Sequence, residues 1–150
     1  MKNYTDKFDK ECLQFYDKRK KVTVEENTKK FIVNNSDQKY VALYRVDDCL
    51  ITNGSRCDYL LLNCFEDDLS AYLIELKGSN LTQAVKQIDA TLARFKEDLE
   101  DFKKINARIV LTKVNFPATL KSIDLRNLRK KIALLGGTLE YKVKVLEEKI

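Results

Sequence analysis

Residues 56–87, RCDYLLLNCFEDDLSAYLIELKGSNLTQAVKQ, decide how the rest of the chain is read. Two apolar runs are joined by an acidic turn over residues 65–70, and a glycine and a helix start follow. Asp58 opens the first run, and Glu75, Leu76 and Lys77 close the second. Side chains two apart on a strand share a face and lie ~7 Å apart, so Glu75 and Lys77 point the same way. A turn centred on residues 66 and 67 sets an antiparallel register that brings Asp58 opposite Glu75, with Cβ atoms ~5 Å apart.

Two carboxylates facing each other in a half-buried setting repel. The arrangement is tolerable when one is protonated, a cation lies close, or a metal ion binds between them. Lys77 supplies one cation, and a divalent ion is the natural second. Oxygen-only ligands suit a hard ion, Mg²⁺ or Mn²⁺, that keeps waters and bridges to substrate phosphate. The implied chemistry is metal-assisted hydrolysis of a phosphodiester.

The acid-x-Lys triplet alone carries little, since the composition yields about three by chance. Asp37-Gln-Lys39, Asp101-Phe-Lys103, Glu140-Tyr-Lys142 and Glu147-Glu-Lys149 also match, and none follows a second apolar strand that opens on Asp. The competing reading makes Asp58 and Glu75 solvated strand-end charges, with Lys77 in a surface ion pair worth under ~1 kcal/mol. Strands this apolar come from covered sheets, which avoid unpaired charge, and that favours the metal site.

Asp58, then Glu75-Leu76-Lys77 at a strand end, then Gln87 on the following helix, resembles the PD-(D/E)XK nuclease superfamily over about residues 40–115. The resemblance implies a restriction-endonuclease-like α/β fold: an αβββαβ core whose mixed sheet is flanked by helices. It also implies that Asp58, Glu75 and the Leu76 carbonyl hold the metal while Lys77 positions or activates the attacking water. Cys57 stands where the family's motif name has Pro. Thr91 stands where the recB-like branch has Tyr. A further acidic ligand often comes from the family's first helix, and Glu25 or Glu26 is the candidate here.

The 150 residues suit one domain, with 44% hydrophobic and 34% charged content. Residues 1–35 read as a charged helical lead-in, in which Phe8, Cys12, Phe15 and Tyr16 recur at helical spacing and a second short helix covers residues 25–33. Residues 40–51 alternate as a strand, and Asn53-Gly54 signals a hairpin back into the Arg56 strand. Asp47 or Asp48 is a possible support for the site. Asn80 caps a long helix with Leu81, Ala84, Val85, Ile88, Leu92, Phe95, Leu99 and Phe102 on its core face. Gln87 flanks that stripe, which lets it lean over the sheet end toward substrate or water.

Residues 107–114 form a fourth strand, parallel to the Glu75 strand across a right-handed crossover. Residues 122–146 hold a helix capped near Ser122 or Asp124, stopped by Gly136-Gly137, and a final strand. Arg126, Arg129, Lys130 and Lys131 on that helix, with Lys142 and Lys144 beyond it, form a basic surface suited to phosphate contacts.

Histidine is absent, which excludes Ser-His-Asp and Cys-His hydrolases and His-ligated zinc. The four cysteines lack metal spacing and read as reduced core residues of a cytoplasmic protein. No run is long and apolar enough for a membrane span or secretory signal. The expectation is a small Mg²⁺-dependent (or Mn²⁺-dependent) nuclease acting on nucleic acid, DNA before RNA, as a possible homodimer. The alternative is a nuclease-like subunit that binds nucleic acid or regulates without cutting. A third reading is a pure protein-interaction domain.

Overall fold

The computed structural model describes residues 3–76, 80–113 and 123–150. Among these residues nine strands and two α-helices follow one another: β1 (Leu13–Asp17), β2 (Lys21–Glu26), β3 (Lys29–Asn34), β4 (Val41–Arg45), β5 (Tyr59–Asn63), β6 (Ser70–Glu75), α1 (Leu81–Phe95), β7 (Lys104–Leu111), α2 (Ile123–Leu134), β8 (Leu139–Val143) and β9 (Val145–Lys149). Six of the strands make a mixed sheet in the order β1-β4-β5-β6-β7-β8, and β2-β3-β9 make a second sheet. The protein is therefore α/β, with a mixed sheet and two helices.

The β5–β6 hairpin forms because two fully buried apolar runs flank a polar turn, where residues 66–68 coil into a short 3-10 helix. Its pairing runs from Tyr59↔Ile74 to Asn63↔Ser70, so its centre falls between residues 66 and 67, as the turn predicts. Asn80 caps α1 by accepting the Gln83 N–H at 3.3 Å. The crossover through α1 then lays β7 parallel to β6, Ser70 opposite Lys104 and Glu75 opposite Ile109. The expected parallel neighbour is present, three residues earlier than its apolar run predicts. The helix ends at Phe95 rather than near Phe102, although Leu99 and Phe102 are still buried beyond it.

Alternation divides the core. Leu60, Leu62, Ala71 and Leu73 face α1 and α2, joining Ile88, Leu92, Leu125 and Leu128. Tyr59, Leu61, Tyr72 and Ile74 face the other way, onto Val22, Val24, Phe31, Val33 and Leu146 of the second sheet. Both faces of the central strands are thus covered, which is why β5 and β6 read as continuous apolar runs instead of alternating ones.

The N-terminal third departs from the expected helices. Among the described residues no α-helix precedes β4; residues 21–34 are a hairpin paired from Lys21↔Asn34 to Glu26↔Lys29, with Asn27 at φ +57° in its two-residue turn. Val22, Val24, Phe31 and Val33 recur every second residue, a strand period that interleaved Lys and Glu obscure. The leading helix of the αβββαβ core is accordingly not found. Residues 46–58 form a loop with Gly54 at φ +86°, where the Asn53-Gly54 signal predicts a tight hairpin.

The C-terminal segment is two strands, not one. Lys144, at φ +70°, breaks the run so that β8 pairs parallel with β7 and β9 pairs parallel with β3. Gly136 and Gly137 end α2 against the start of β7, where a Cβ on Gly137 would strike the Ile105 carbonyl.

The cysteine expectation is also corrected. Cys12 and Cys49 form a disulfide that ties the segment before β1 to the loop after β4, while Cys57 and Cys64 are free thiols. Spacing could not indicate the pairing, because it joins positions 37 residues apart. In the chain-entropy account a closed loop of this length stabilises by about 4 kcal/mol. Cys49→Ser is expected to lower the melting temperature by about 8 °C or more, and a strong reductant to do the same to wild type but nothing further to the variant. Identical melting of wild type with and without reductant would contradict the bond's contribution.

Candidate functional site at the end of β6

The parallel strands β6 and β7 both finish at the edge where α1 begins, the place where open α/β sheets characteristically bind ligands. Glu75 is the last residue of β6 and is 1% exposed; Asp58, just before β5, is 4% exposed. Leu73 packs toward the helices while Ile74 and Leu76 pack toward the second sheet, so alternation turns Glu75 to the helix side. Asp58 alternates with Leu60 and turns the same way. The two carboxylates come from neighbouring strands on one face.

Local backbone geometry fixes Asp58. Its N–H donates to the Ile74 carbonyl at 3.0 Å, and its own carbonyl accepts from both Val46 N–H (2.9 Å) and Asp47 N–H (3.3 Å), a two-against-one pairing of the kind a β-bulge makes. Its side chain is held as well, because Oδ2 accepts the Leu76 N–H at 2.7 Å. Asp58 is thereby locked to the residue next to Glu75.

Cys57 lies against the same point from below. Its N–H donates to Thr91 Oγ1 at 2.8 Å, and that hydroxyl donates to the Gln87 carbonyl at 2.8 Å, so the strand start is pinned to α1. Burial pushes the Cys57 thiol far up, and the Glu75 and Asp58 charges push it further against the opposing Thr91 hydrogen bond. Cys57 is therefore no nucleophile at neutral pH. The sequence places Thr91 one turn after Gln87, where the recB-like branch has Tyr, but gives no sign of this pinning role.

Gln87 occupies the flank of α1 as expected, one turn nearer the helix start than Thr91. Its Oε1 is buried and accepts no hydrogen bond among the described residues. Lys77 lies outside the described residues, as does Ser122. Asp47 and Asp48 do not turn to the carboxylates: they clamp Arg56, with Oδ1 atoms 2.8 and 2.7 Å from its guanidinium.

Glu25 and Glu26 belong to the second sheet, across the central sheet from the helices. Glu26 Oε1 accepts the Tyr59 hydroxyl at 3.1 Å and lies 3.9 Å from Arg45, while Glu25 pairs opposite Lys30. The structure does not bring either to Glu75, because their segment is a strand on the opposite layer and not a helix beside β6. Arg126, Arg129 and Lys130 are exposed on α2, and Lys142 and Lys144 are exposed beyond it. Lys131 is bound to Asp89 of α1 at 2.9 Å, and the Arg129 guanidinium sits 5.6 Å over the Tyr141 ring. A cleft of about 350 Å³ separates α1 from α2, with Lys86 and Lys130 among its lining but Asp89 and Asp124 as well.

Among the described residues no group of three or more His, Cys, Asp or Glu side chains is placed to hold a metal ion. The donors at this site are two carboxylates and the Leu76 main chain, all hard oxygens. That set fits Mg²⁺ or Mn²⁺ in kind, with water and substrate oxygen completing the shell.

No family model, curated protein or solved structure matches the chain. No helix among the described residues is long and apolar enough to cross a membrane.

Proposed function

We propose that the protein is a small metal-dependent nuclease of PD-(D/E)XK type, cutting nucleic-acid phosphodiester bonds at the end of β6. The observation that carries the reading is the pair of buried carboxylates on neighbouring strands, with Asp58 hydrogen-bonded to the residue that follows Glu75. Acidic side chains buried side by side at a strand end are found at functional sites more often than in structural cores, which is what supports the reading. In this reading Asp58, Glu75 and the Leu76 carbonyl hold Mg²⁺ or Mn²⁺, which when bound polarises the scissile phosphate and acidifies water. Lys77 orients the attacking water and offsets charge that develops on the phosphate. Gln87 offers its amide to substrate or to that water. Arg126, Arg129, Lys130, Lys142 and Lys144 supply phosphate contacts that position a DNA strand without reading it.

One observation favours a second reading, a nuclease-like subunit that binds without cutting: both carboxylates are almost closed off from solvent. Cleavage of labelled duplex and single-stranded substrates, with Mg²⁺ and with EDTA, separates the two. Metal-dependent cleavage that Asp58→Asn and Glu75→Gln abolish supports hydrolysis; cleavage that survives both substitutions, or none by wild type, rejects it.

A further inference from the structure

At the opposite end of β5 from the carboxylates, three loops converge on a corner of the sheet. Asn35 is fully buried and ties them: its amide donates to the Arg19 carbonyl at 2.9 Å and the Lys39 carbonyl at 2.8 Å, and its Oδ1 accepts the Lys39 N–H at 3.0 Å. Cys64 N–H donates to the Tyr40 carbonyl at 2.9 Å, bringing the end of β5 to the same place.

That corner collects the exposed aromatics. Tyr16, Tyr40 and Phe65, 43%, 47% and 42% exposed, are the exposed aromatic side chains among the described residues. Tyr16 and Tyr40 meet with ring centroids 5.4 Å apart. The Lys18 ammonium lies 4.9 Å from the Tyr40 ring and the Lys39 ammonium 5.3 Å from the Phe65 ring. Lys18, Arg19 and Lys20 make up the loop between β1 and β2, all exposed, and exposed Lys21 opens β2. The acids nearby are Asp17, held by Arg19 at 2.9 Å, exposed Asp37, and Glu66 and Asp67 beside Phe65. With Arg19 taken up by Asp17, Lys18 over Tyr40 and Lys39 over Phe65 are the cations set directly against the exposed rings.

We propose that this corner binds single-stranded nucleic acid, with bases stacked on Tyr16, Tyr40 and Phe65 and phosphates held by Lys18, Lys20 and Lys39. Exposed rings flanked by ammonium groups are what an unpaired strand needs: every base has a face to stack, and the intervening phosphates need cations. A duplex hides its base faces and offers the same groups only phosphate contacts. The surface is about 20 Å from Asp58 along β5, at ~3.3 Å per residue, and is independent of the hydrolytic proposal.

The test is fluorescence anisotropy in EDTA with a labelled oligothymidine of about twelve nucleotides and a duplex of equal length. Wild type is expected to bind the single strand more tightly. The double variant Tyr16→Ala/Tyr40→Ala should weaken that binding by about tenfold or more, while Tyr16→Phe/Tyr40→Phe, which keeps both rings, stays near wild type. Lys18→Ala/Lys39→Ala should make the dependence of log affinity on log salt shallower by about 1.4, two phosphates' worth. Circular dichroism checks the fold, and Phe65→Ala, expected to weaken binding severalfold, serves if the alanine pair misfolds. Equal affinity for duplex, no binding at all, or alanine variants that bind like wild type would overturn the proposal.

Discussion

Glu75→Gln is expected to slow Mg²⁺-dependent cleavage by about a thousandfold or more, roughly 4 kcal/mol of lost transition-state stabilisation, without unfolding the protein. The substitution keeps the volume but exchanges one acceptor oxygen for an amide donor and removes the charge at the end of β6. Glu75 is 1% exposed, and an amide of the same size there leaves no hole. Asp58→Asn should act similarly on the rate, since the amide oxygen can still accept the Leu76 N–H that Oδ2 accepts. The diagnostic result is dissociation of activity from stability: rate lost, melting temperature held. A carboxylate pair with only a structural role would give the reverse, a shifted melting temperature and an unchanged rate.

The second large effect is on folding. Arg108 is 4% exposed on β7 and joins the two sheets: its guanidinium pairs with Glu148 of β9, NH2 lying 3.1 Å from Oε1, and lies 3.6 Å from Glu140. It also donates to the Ala107 and Thr138 carbonyls at 2.9 and 2.8 Å and sits 5.4 Å from the Tyr72 ring. Burial first, then the Glu148 charge, pushes the Tyr72 hydroxyl up to about 12, against the smaller opposing pull of Arg108. Arg108→Ala removes four hydrogen bonds and leaves Glu148 without its guanidinium between the sheets. A loss of about 3–5 kcal/mol is expected, read as a fall of roughly 10 °C or more in thermal melting. Arg108→Met/Glu148→Leu should recover much of it, because an apolar pair suits the space between sheets better than a stranded carboxylate. Arg108→Ala melting within a degree or two of wild type would show that β9 is held by its ladder with β3 alone.

What the sequence made legible follows distance along the chain. The β5–β6 hairpin and the β6-α1-β7 crossover were readable because each contact is set by a turn or a cap nearby: the turn over residues 65–70 set the pairing from Tyr59↔Ile74 to Asn63↔Ser70, and Asn80 announced α1. Gln87 could be placed on the flank of α1 for the same reason. The N-terminal sheet was not readable, because KVTVEENTKKFIV hides its two-residue period among charges, and its third strand, β9, lies more than a hundred residues on. Misreading that hairpin as helix also misplaced Glu25 and Glu26, which carry no side-chain signal of their layer. Thr91 and the Cys12–Cys49 bond belong to the same class, since both join segments that only the folded chain brings together.

In the proposed function Asp58 and Glu75 hold one hard cation at the end of β6, and isothermal titration with Mn²⁺ in the absence of substrate measures that binding alone. Wild type is then expected to take up one ion per chain, with uptake lost in both Asp58→Asn and Glu75→Gln while circular dichroism is unchanged. Absence of uptake by wild type, or equal uptake by wild type and both variants, would contradict it.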